Sequence, residues 1–288
     1  DGRLVALENL VGLGLLDQIV AQVAKLHYRT GGAVRMPVVI RIPFGGGIGA
    51  VEHHSESPEA YFAHTAGLRV VSCSTPDDAY WMIQQAISCD DPVIFFEPKR
   101  RYWDKGVVDT VAPSVPLDRA RVRRAAAEGA ERAVTVAAYG PMVRTALDAA
   151  TVAEGEGIEL EVIDLRTLSP LDLPTLTGSV RRTGRLVVVH EASTFLGVSA
   201  EVAARVTEEC FYHLEAPVLR VGGFHTPYPA SRVEEEYLPD LDKVLQWNPL
   251  YEAAYVASAE CQLRLHAGFR GVSMQIRALE KAIDRCSR

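Results

Sequence analysis

The sequence contains no long apolar run, no excess of basic residues and no dense cysteine pattern, and each absence excludes a class of protein. No apolar stretch approaches the roughly 18 residues that a membrane-spanning helix requires, so we expect a soluble protein without membrane partners. Acidic residues outnumber basic ones by 37 to 30, which argues against the basic face of a nucleic-acid binder. The five cysteines are scattered and odd in number, which favours a reducing compartment over a disulfide framework.

Several well-known signatures are also absent. There is no C-x-x-C or H-E-x-x-H spacing that would indicate a structural zinc or zincin site. The glycines at 45–49 lack the G-x-G-x-x-G spacing of a dinucleotide fold, and neither a P-loop nor a G-x-S-x-G elbow occurs. What remains is an ordinary globular composition, 48% hydrophobic and 23% charged, in a chain of 288 residues, which is enough for two domains.

Short apolar runs of strand length alternate with capped helical segments, first up to residue 104 and again from residue 133. Pro37–Pro43 and Pro92–Phe96 are typical of buried strands, and the segment beginning at Thr75 has the cap, proline and acidic first turn of a helix. Such alternation predicts βαβ units. The predicted fold class is therefore α/β, with two open, mostly parallel sheets flanked by helices.

The expected domains follow from this pattern. The first domain takes residues 1–104, a polar linker takes 105–132 and the second domain takes 133–247. The tail at 248–288 has high helix propensity and is predicted to be helical. Because the chain starts at Asp1 without a methionine, we expect that an N-terminal stretch is missing.

A glycine-rich loop, Gly45–Gly49, follows the predicted strand and leads to two adjacent histidines, His53 and His54. Ligands of open α/β sheets bind at the carboxyl ends of strands, and histidine titrates near neutrality. The loop is therefore a candidate acid–base site, with Glu52 as an orienting carboxylate. Ordinary polar loop residues explain the same pattern about equally well for the histidines, and better for Glu52.

The remaining histidines give weaker signals. His190 and Glu191 follow another predicted strand, where a site role and simple strand termination are equally plausible. His225 lies in a proline-rich turn, which favours a structural role. The turn Ser88–Pro92 carries carbonyl groups that suit a hard cation, although a plain turn explains it by itself.

The motifs together resemble the beta subunit of the thiamine-diphosphate-dependent decarboxylating component of 2-oxo acid dehydrogenase complexes, of the branched-chain (2-oxoisovalerate) or actinobacterial pyruvate type. The resemblance runs from Asp17 to Leu245. It is carried by motifs in the family's order: Asp17-Gln-Ile-Val20, Val39-Ile-Arg-Ile-Pro-Phe-Gly-Gly-Gly47, Glu52-His-His-Ser-Glu-Ser-Pro-Glu-Ala60, Pro92-Val-Ile-Phe-Phe-Glu-Pro-Lys99, Val162-Ile-Asp-Leu-Arg-Thr-Leu-Ser-Pro-Leu-Asp172, Thr183-Gly-Arg-Leu-Val-Val-Val-His-Glu-Ala192, His213-Leu-Glu-Ala-Pro217 and Thr226-Pro-Tyr-Pro229.

The resemblance implies a pyrimidine-binding domain followed by a transketolase-type C-terminal domain, in an alpha2beta2 assembly that works with a lipoyl acyltransferase core. It implies oxidative decarboxylation of a branched-chain 2-oxo acid or pyruvate, with acyl transfer to lipoyl-lysine, only together with the alpha subunit. Thiamine diphosphate would be shared with that subunit, which brings the magnesium. The implied location is the cytoplasm, or the mitochondrial matrix if the source is eukaryotic.

Residue by residue, the family's catalytic histidine maps to His54, with a role in proton transfer and positioning. A potassium-type site made of backbone carbonyls maps to five positions: Val38, Ala86, Ile87, Cys89 and Asp91. Val11 stands where the family has an aromatic residue against the cofactor ring. The family's catalytic glutamate has no counterpart in this sequence.

These departures leave a second hypothesis open, a catalytically decayed homologue that acts as a binding or assembly protein. His225 also replaces the aspartate usual before Thr-Pro-Tyr-Pro. Single-chain relatives such as transketolase and deoxyxylulose-phosphate synthase are excluded because they carry both halves of the site, for which this chain is too short.

Overall fold

The computed structural model describes residues 4–6, 16–113 and 115–246, and every structural statement concerns those residues. Strands and helices alternate along most of this length. The strands are β1 (Leu4–Ala6), β2 (Val39–Phe44), β3 (Arg69–Ser72), β4 (Val93–Pro98), β5 (Arg121–Arg124), β6 (Ala133–Ala138), β7 (Glu159–Asp164), β8 (Thr167–Ser169), β9 (Leu186–Ser193) and β10 (Leu219–Gly223).

These strands form two five-stranded sheets. The first sheet has the order β1-β2-β4-β3-β8, and the second has the order β10-β9-β6-β7-β5. Neighbouring strands run parallel, except that β8 and β5 pair antiparallel at the edges of their sheets. The predicted fold class, two mostly parallel sheets flanked by helices, is confirmed.

Capping residues mark the ends of two of the longer helices. The helices are α1 (Leu26–Arg29), α2 (Glu52–Ser55), α3 (Glu59–Ala63), α4 (Pro76–Ser88), α5 (Met142–Glu154), α6 (Leu173–Thr183), α7 (Val198–Cys210), α8 (Glu234–Tyr237) and α9 (Leu241–Gln246). Thr75 caps α4 by accepting the Asp78 amide at 3.2 Å, and Asp172 caps α6 in the same way. Gly184 ends α6 in the left-handed conformation. No helix within the described ranges is long and apolar enough to cross a membrane.

Each sheet is covered on both faces. In the first sheet alternate residues such as Val39 and Phe95 pack with α4, whereas Ile40 and Phe96 face the opposite side. Helices α5 and α9 cover one face of the second sheet, and α6 and α7 cover the other. We call the first sheet with helices α1–α4 the first lobe, and the second sheet with helices α5–α9 the second lobe. One apolar cluster contains both Phe96 of the first sheet and Val202 of α7, so the two lobes share a core.

The lobes are also joined by β8, which follows β7 in sequence but pairs with β3 of the first sheet. The bend before β8 contains Arg166, which has a positive φ of 54° and is 2% exposed. Arg166 Nε lies 3.0 Å from Asp78 Oδ1, and its Nη1 donates to the carbonyls of Pro116 and Arg119.

Three further side chains, Ser74, Asp164 and Arg123, complete this contact. The Ser74 hydroxyl contacts the carboxylates of both Asp78 and Asp164, and Arg123 lies 3.6 Å from Asp78. We call Ser74, Asp78, Arg123, Asp164 and Arg166 the guanidinium junction. It links α4 of the first lobe to the strands of the second by formal charges.

Four sequence-based expectations need correction or fall outside the structure. The spacing of Ile19, Val23 and Leu26 predicts one helix at 16–29, but this segment is a succession of a π-helical turn, Gln18–Gln22, a 3-10 turn, Val23–Lys25, and the short α1. The predicted linker 105–132 contains β5, an edge strand that its polar sequence conceals. Helix α2 was expected to be loop. The tail at 248–288 lies outside the described residues.

Candidate active site at the glycine loop

The glycine loop leaves β2 at Phe44, at the carboxyl edge of the first sheet where parallel-sheet ligands bind. Gly45, Gly47 and Gly49 have φ of +84°, +80° and +70°, which side chains rarely adopt. At Gly46 a β-carbon would overlap the hydroxyl group of Tyr228. The loop therefore needs glycine both for its backbone conformation and for the approach of the second lobe.

Backbone amides of the loop donate to carboxylates of the second lobe. Glu234 accepts the Gly47 amide with one oxygen and the Gly49 amide with the other, both at 3.0 Å. Tyr228 donates its hydroxyl to Glu234 Oε1 at 2.6 Å. Burial, with Glu234 beside it, raises the pKa of Tyr228 well above the usual range of a phenol.

Glu191, at the end of β9, receives the remaining contact from the loop. It accepts the Gly46 amide at 3.1 Å and lies 2.7 Å from Arg100 Nη2. Burial raises the pKa of Glu191, and the Arg100 guanidinium opposes that rise. We call the two carboxylates, Glu191 and Glu234, together with the amides that they accept, the loop clamp.

His54 lies on α2, a single helical turn directly after the glycine loop, and its side chain is exposed. The Lys99 ammonium donates to the His54 carbonyl, and the buried Ser55 hydroxyl donates to the Ala50 carbonyl. The backbone of this turn is thus tied down while the imidazole faces outward. Glu52, the predicted orienting carboxylate, lies 3.2 Å from His53 Nδ1.

His190 is placed deep inside the second lobe rather than at the surface. Its Nε2 lies 2.6 Å from the Ser199 hydroxyl and its Nδ1 lies 2.9 Å from the Ala192 carbonyl. The ring stacks on Tyr139. Burial lowers the pKa of His190 to about 4, which favours the neutral ring at pH 7. His225 is exposed beside Phe195, with ring centres 4.3 Å apart.

A further buried carboxyl, Glu59, begins α3 beneath the loop. Burial raises its pKa to about 7. Tyr139 of the second lobe is its neighbour, yet neither the Glu59 oxygens nor the Tyr139 hydroxyl forms a hydrogen bond of ordinary geometry with a described residue. Glu59 therefore differs from the clamp carboxylates, which accept backbone amides of the glycine loop.

The five positions mapped to a potassium site gather where α4 ends and β2 and β4 begin. The Val38 carbonyl accepts the Val93 amide at 2.9 Å, and the Ala86 carbonyl accepts the Cys89 amide at 3.1 Å. The last carbonyls of a helix lack intrahelical partners and carry partial negative charge, which favours a cation. In the described part of the chain, no three His, Cys, Asp or Glu side chains form a metal-binding group.

A cavity of about 630 Å³ opens on the α4 side of the first sheet. Three of its polar lining side chains are paired with one another: Arg41 forms an ion pair with Glu97, which also accepts the Tyr102 hydroxyl at 3.0 Å. The cavity lies on the opposite side of the sheet from the apolar cluster that contains Phe44, the residue before the loop. It is not assigned to the candidate site.

Sequence reasoning found the loop, His54 and the position of Glu191, but it missed the other partners of the loop. Glu234 is the first of three consecutive glutamates and gives no signal of its own. Tyr228 lies in the Thr-Pro-Tyr-Pro motif, which supports the family resemblance but does not indicate a contact with the loop. Val11, the position of the family aromatic, lies outside the described residues.

Comparison with known proteins assigns both lobes. Residues 13–104 match the family model of the transketolase pyrimidine binding domain, and residues 123–244 match that of the transketolase C-terminal domain. Among solved structures, an inactive beta4 tetramer of a split-gene transketolase is similar with a TM-score of 0.59 at 21% identity, over 84% of this chain and 75% of that one. This similarity supports the fold.

Curated relatives share far more of the sequence. Over 230 residues, 80% of this chain, the chain is 58% identical to the pyruvate dehydrogenase E1 component subunit beta of Leifsonia xyli, covering 67% of that protein. It is 54% identical to the 3-methyl-2-oxobutanoate dehydrogenase subunit beta of Mycobacterium tuberculosis, covering 65%, and 43% identical to the 2-oxoisovalerate dehydrogenase subunit beta of Pseudomonas aeruginosa, covering 66%. The chain thus spans about two thirds of the length of these relatives.

Proposed function

Because the chain belongs to the family of beta subunits of the decarboxylating component of 2-oxo acid dehydrogenases, we propose that it works as such a subunit. With an alpha subunit, in an alpha2beta2 assembly, it would oxidatively decarboxylate a branched-chain 2-oxo acid or pyruvate. The acyl group would pass to lipoyl-lysine of an acyltransferase core. We place this complex in the cytoplasm, or in the mitochondrial matrix of a eukaryote.

The proposal rests on the exposed side chain of His54 and on the contacts that hold its backbone. Its imidazole is exposed at the carboxyl edge of the first sheet, while the backbone on both sides is fixed by Lys99, Ser55 and the loop clamp. A fixed and accessible imidazole suits proton transfer near neutral pH. His54 is therefore proposed as the catalytic residue that moves a proton at the bound intermediate and helps to orient the incoming lipoyl group.

Thiamine diphosphate, with magnesium held on the alpha side, would supply the carbanion that attacks the 2-oxo carbon. The described residues fit one part of such a site, because His54 offers an acid–base group on a surface that another subunit can cover. The carboxylate that the family uses to activate the aminopyrimidine has no counterpart in the sequence. Cofactor activation is accordingly assigned to no residue of this chain.

A potassium ion bound by the carbonyls at the end of α4 belongs to the same proposal. Since the ligands are backbone atoms, side-chain substitutions test it poorly, and stability is the better measurement. We expect the unfolding temperature of the chain to be higher in potassium chloride than in choline chloride at equal ionic strength. Equal unfolding temperatures would count against the site.

The function is tested by mixing the chain with the alpha subunit of the same organism and thiamine diphosphate. Reduction of 2,6-dichlorophenolindophenol would be followed with 3-methyl-2-oxobutanoate and with pyruvate. We expect turnover only in the mixture, and a loss of about 100-fold or more in His54→Gln, with His53→Gln as the matched control close to the parent. Turnover by the lone chain would refute the shared site, and cofactor binding without turnover would support the assembly-protein alternative.

A further inference from the structure

The position of His54 depends on the second lobe. The two oxygens of Glu234 each accept one glycine amide of the loop, and the Ser231 hydroxyl donates to the Gly49 carbonyl at 2.6 Å. Glu234 is buried, at 6% exposure. These contacts join residues more than 180 positions apart, so they fix the loop by tertiary structure rather than by its own sequence.

Glu191 fixes the other side of the same segment. It accepts the Gly46 amide and pairs with Arg100. Arg100 directly follows Lys99, whose ammonium donates to the His54 carbonyl. Both the loop before His54 and the residue that holds its carbonyl are therefore connected to carboxylates of the second lobe.

We propose that Glu234, supported by Tyr228 and acting with Glu191, is a positioning residue that sets the place of the His54 imidazole. The inference rests on the proposed function in one respect, the assignment of proton transfer to His54. The second lobe thus shapes the catalytic edge of the first without contacting the reacting atoms.

The chemistry requires a carboxylate at position 234 and not only a side chain of that shape. A carboxylate accepts hydrogen bonds at both oxygens, whereas the amide of glutamine accepts at one atom and donates at the other. In Glu234→Gln, an amide N–H would face a glycine N–H, and one of the two contacts would be lost. Glu235→Gln, an exposed neighbour in the same helix, changes the same charge without touching the loop.

The first measurement uses the chain alone. Amide hydrogen exchange at Gly47 and Gly49, together with the ring resonances and titration of His54, is compared in the parent, Glu234→Gln and Glu235→Gln. We expect about tenfold faster glycine exchange and shifted His54 resonances in Glu234→Gln only. Unchanged His54 resonances in that variant would overturn the proposal. Because no turnover is needed, this result stands even if the proposed function fails.

The second measurement uses the complex with the alpha subunit. A displaced imidazole lowers the rate of the bound complex, so we expect kcat to fall about tenfold or more in Glu234→Gln. The KM for the 2-oxo acid should stay within about twofold, because substrate binding is left in place. Glu235→Gln should match the parent in both constants. Glu234→Gln could show fast exchange of the glycine amides and still have the kcat of the parent complex. That result would overturn the positioning role and leave the proposed function intact.

Discussion

Two groups of buried carboxylates join the lobes, and they are neutralised in different ways. In the loop clamp, Glu191 and Glu234 accept three backbone amides of the glycine loop, supplemented by one guanidinium and one phenol. In the guanidinium junction, Asp78 lies near Arg123 and Arg166, with the Asp164 carboxylate beside them. The first group uses main-chain dipoles and the second uses formal charge.

The difference determines what each group specifies. Amides have fixed directions, so a carboxylate that accepts several of them dictates the backbone conformation of the loop. In the junction, Arg166 binds Asp78 of α4 through side-chain atoms, so this group specifies a contact between the lobes. Burial and the neighbouring Asp78 raise the pKa of Asp164, so its charge is costly unless the arginines stay in place.

The largest expected effect comes from breaking the guanidinium junction. Arg166→Met would leave Asp78 and Asp164 buried with less compensation, and we expect a loss of about 3–5 kcal/mol in the free energy of unfolding. Urea denaturation measures it. Arg144→Met, which removes an exposed ion pair with Asp148, should cost less than about 1 kcal/mol. Similar costs for the two variants would contradict the distinction.

The next largest loss of stability is expected from a steric overlap at the loop clamp. The β-carbon introduced by Gly46→Ala would overlap the Tyr228 hydroxyl, and we expect a cost of about 1–3 kcal/mol. The cost should shrink when Tyr228→Phe is combined with it, because the two sites are in contact. Gly178→Ala, in α6 with open space around it, should be neutral or stabilise by about 1 kcal/mol.

Glu59, whose carboxylate oxygens form no hydrogen bond of ordinary geometry with the described residues, extends the comparison to the pH dependence of stability. Its pKa of about 7 in the folded protein exceeds the ordinary 4.5, so its proton stabilises the fold below pH 4.5. That stabilisation is lost as the pH rises through 7. Glu59→Gln should remove this slope and be more stable than the parent at pH 8, by about 1–3 kcal/mol. A variant less stable than the parent at pH 8 would show that the ionised carboxylate is favoured.

The smallest effect concerns one hydrogen bond of the clamp. Tyr228→Phe removes the donor to Glu234 Oε1 but leaves both glycine amides in place, and we expect a loss of about 1 kcal/mol. Thermal unfolding of this variant and of Tyr212→Phe, whose ring is 95% exposed, gives the comparison. A cost well above that of Gly46→Ala would mean that the phenol, not the amides, holds Glu234.

The sequence predicted the elements whose signals are local. Strands such as β2 and β4 are apolar runs between prolines or turns, and α4 carries its cap in its first residues. The three missed strands are short edge strands: β1 and β8 have only three residues each, and β5 is rich in arginine. Their pairing depends on strands elsewhere, so their own residues do not reveal it.

The same limit applies to the site. The glycine loop and His54 are adjacent in sequence, so their association was predictable from the end of one strand. The contacts of Glu234 with Gly47 and Gly49 connect residues more than 180 positions apart. No spacing rule links such positions, and the nearby glutamates at 235 and 236 are equally good candidates by composition.

The antiparallel pairing of β8 with β3 has a consequence for dividing the protein into fragments. A cut between residues 104 and 119 would separate the first sheet from its own edge strand, although that strand lies on the far side of the cut. The N-terminal fragment would expose an unpaired edge, which invites self-association. Co-expressed halves should instead associate, because β8 of the C-terminal fragment completes the sheet of the N-terminal fragment. A split form of this protein would therefore assemble by strand complementation, and its N-terminal fragment would aggregate when it is expressed alone.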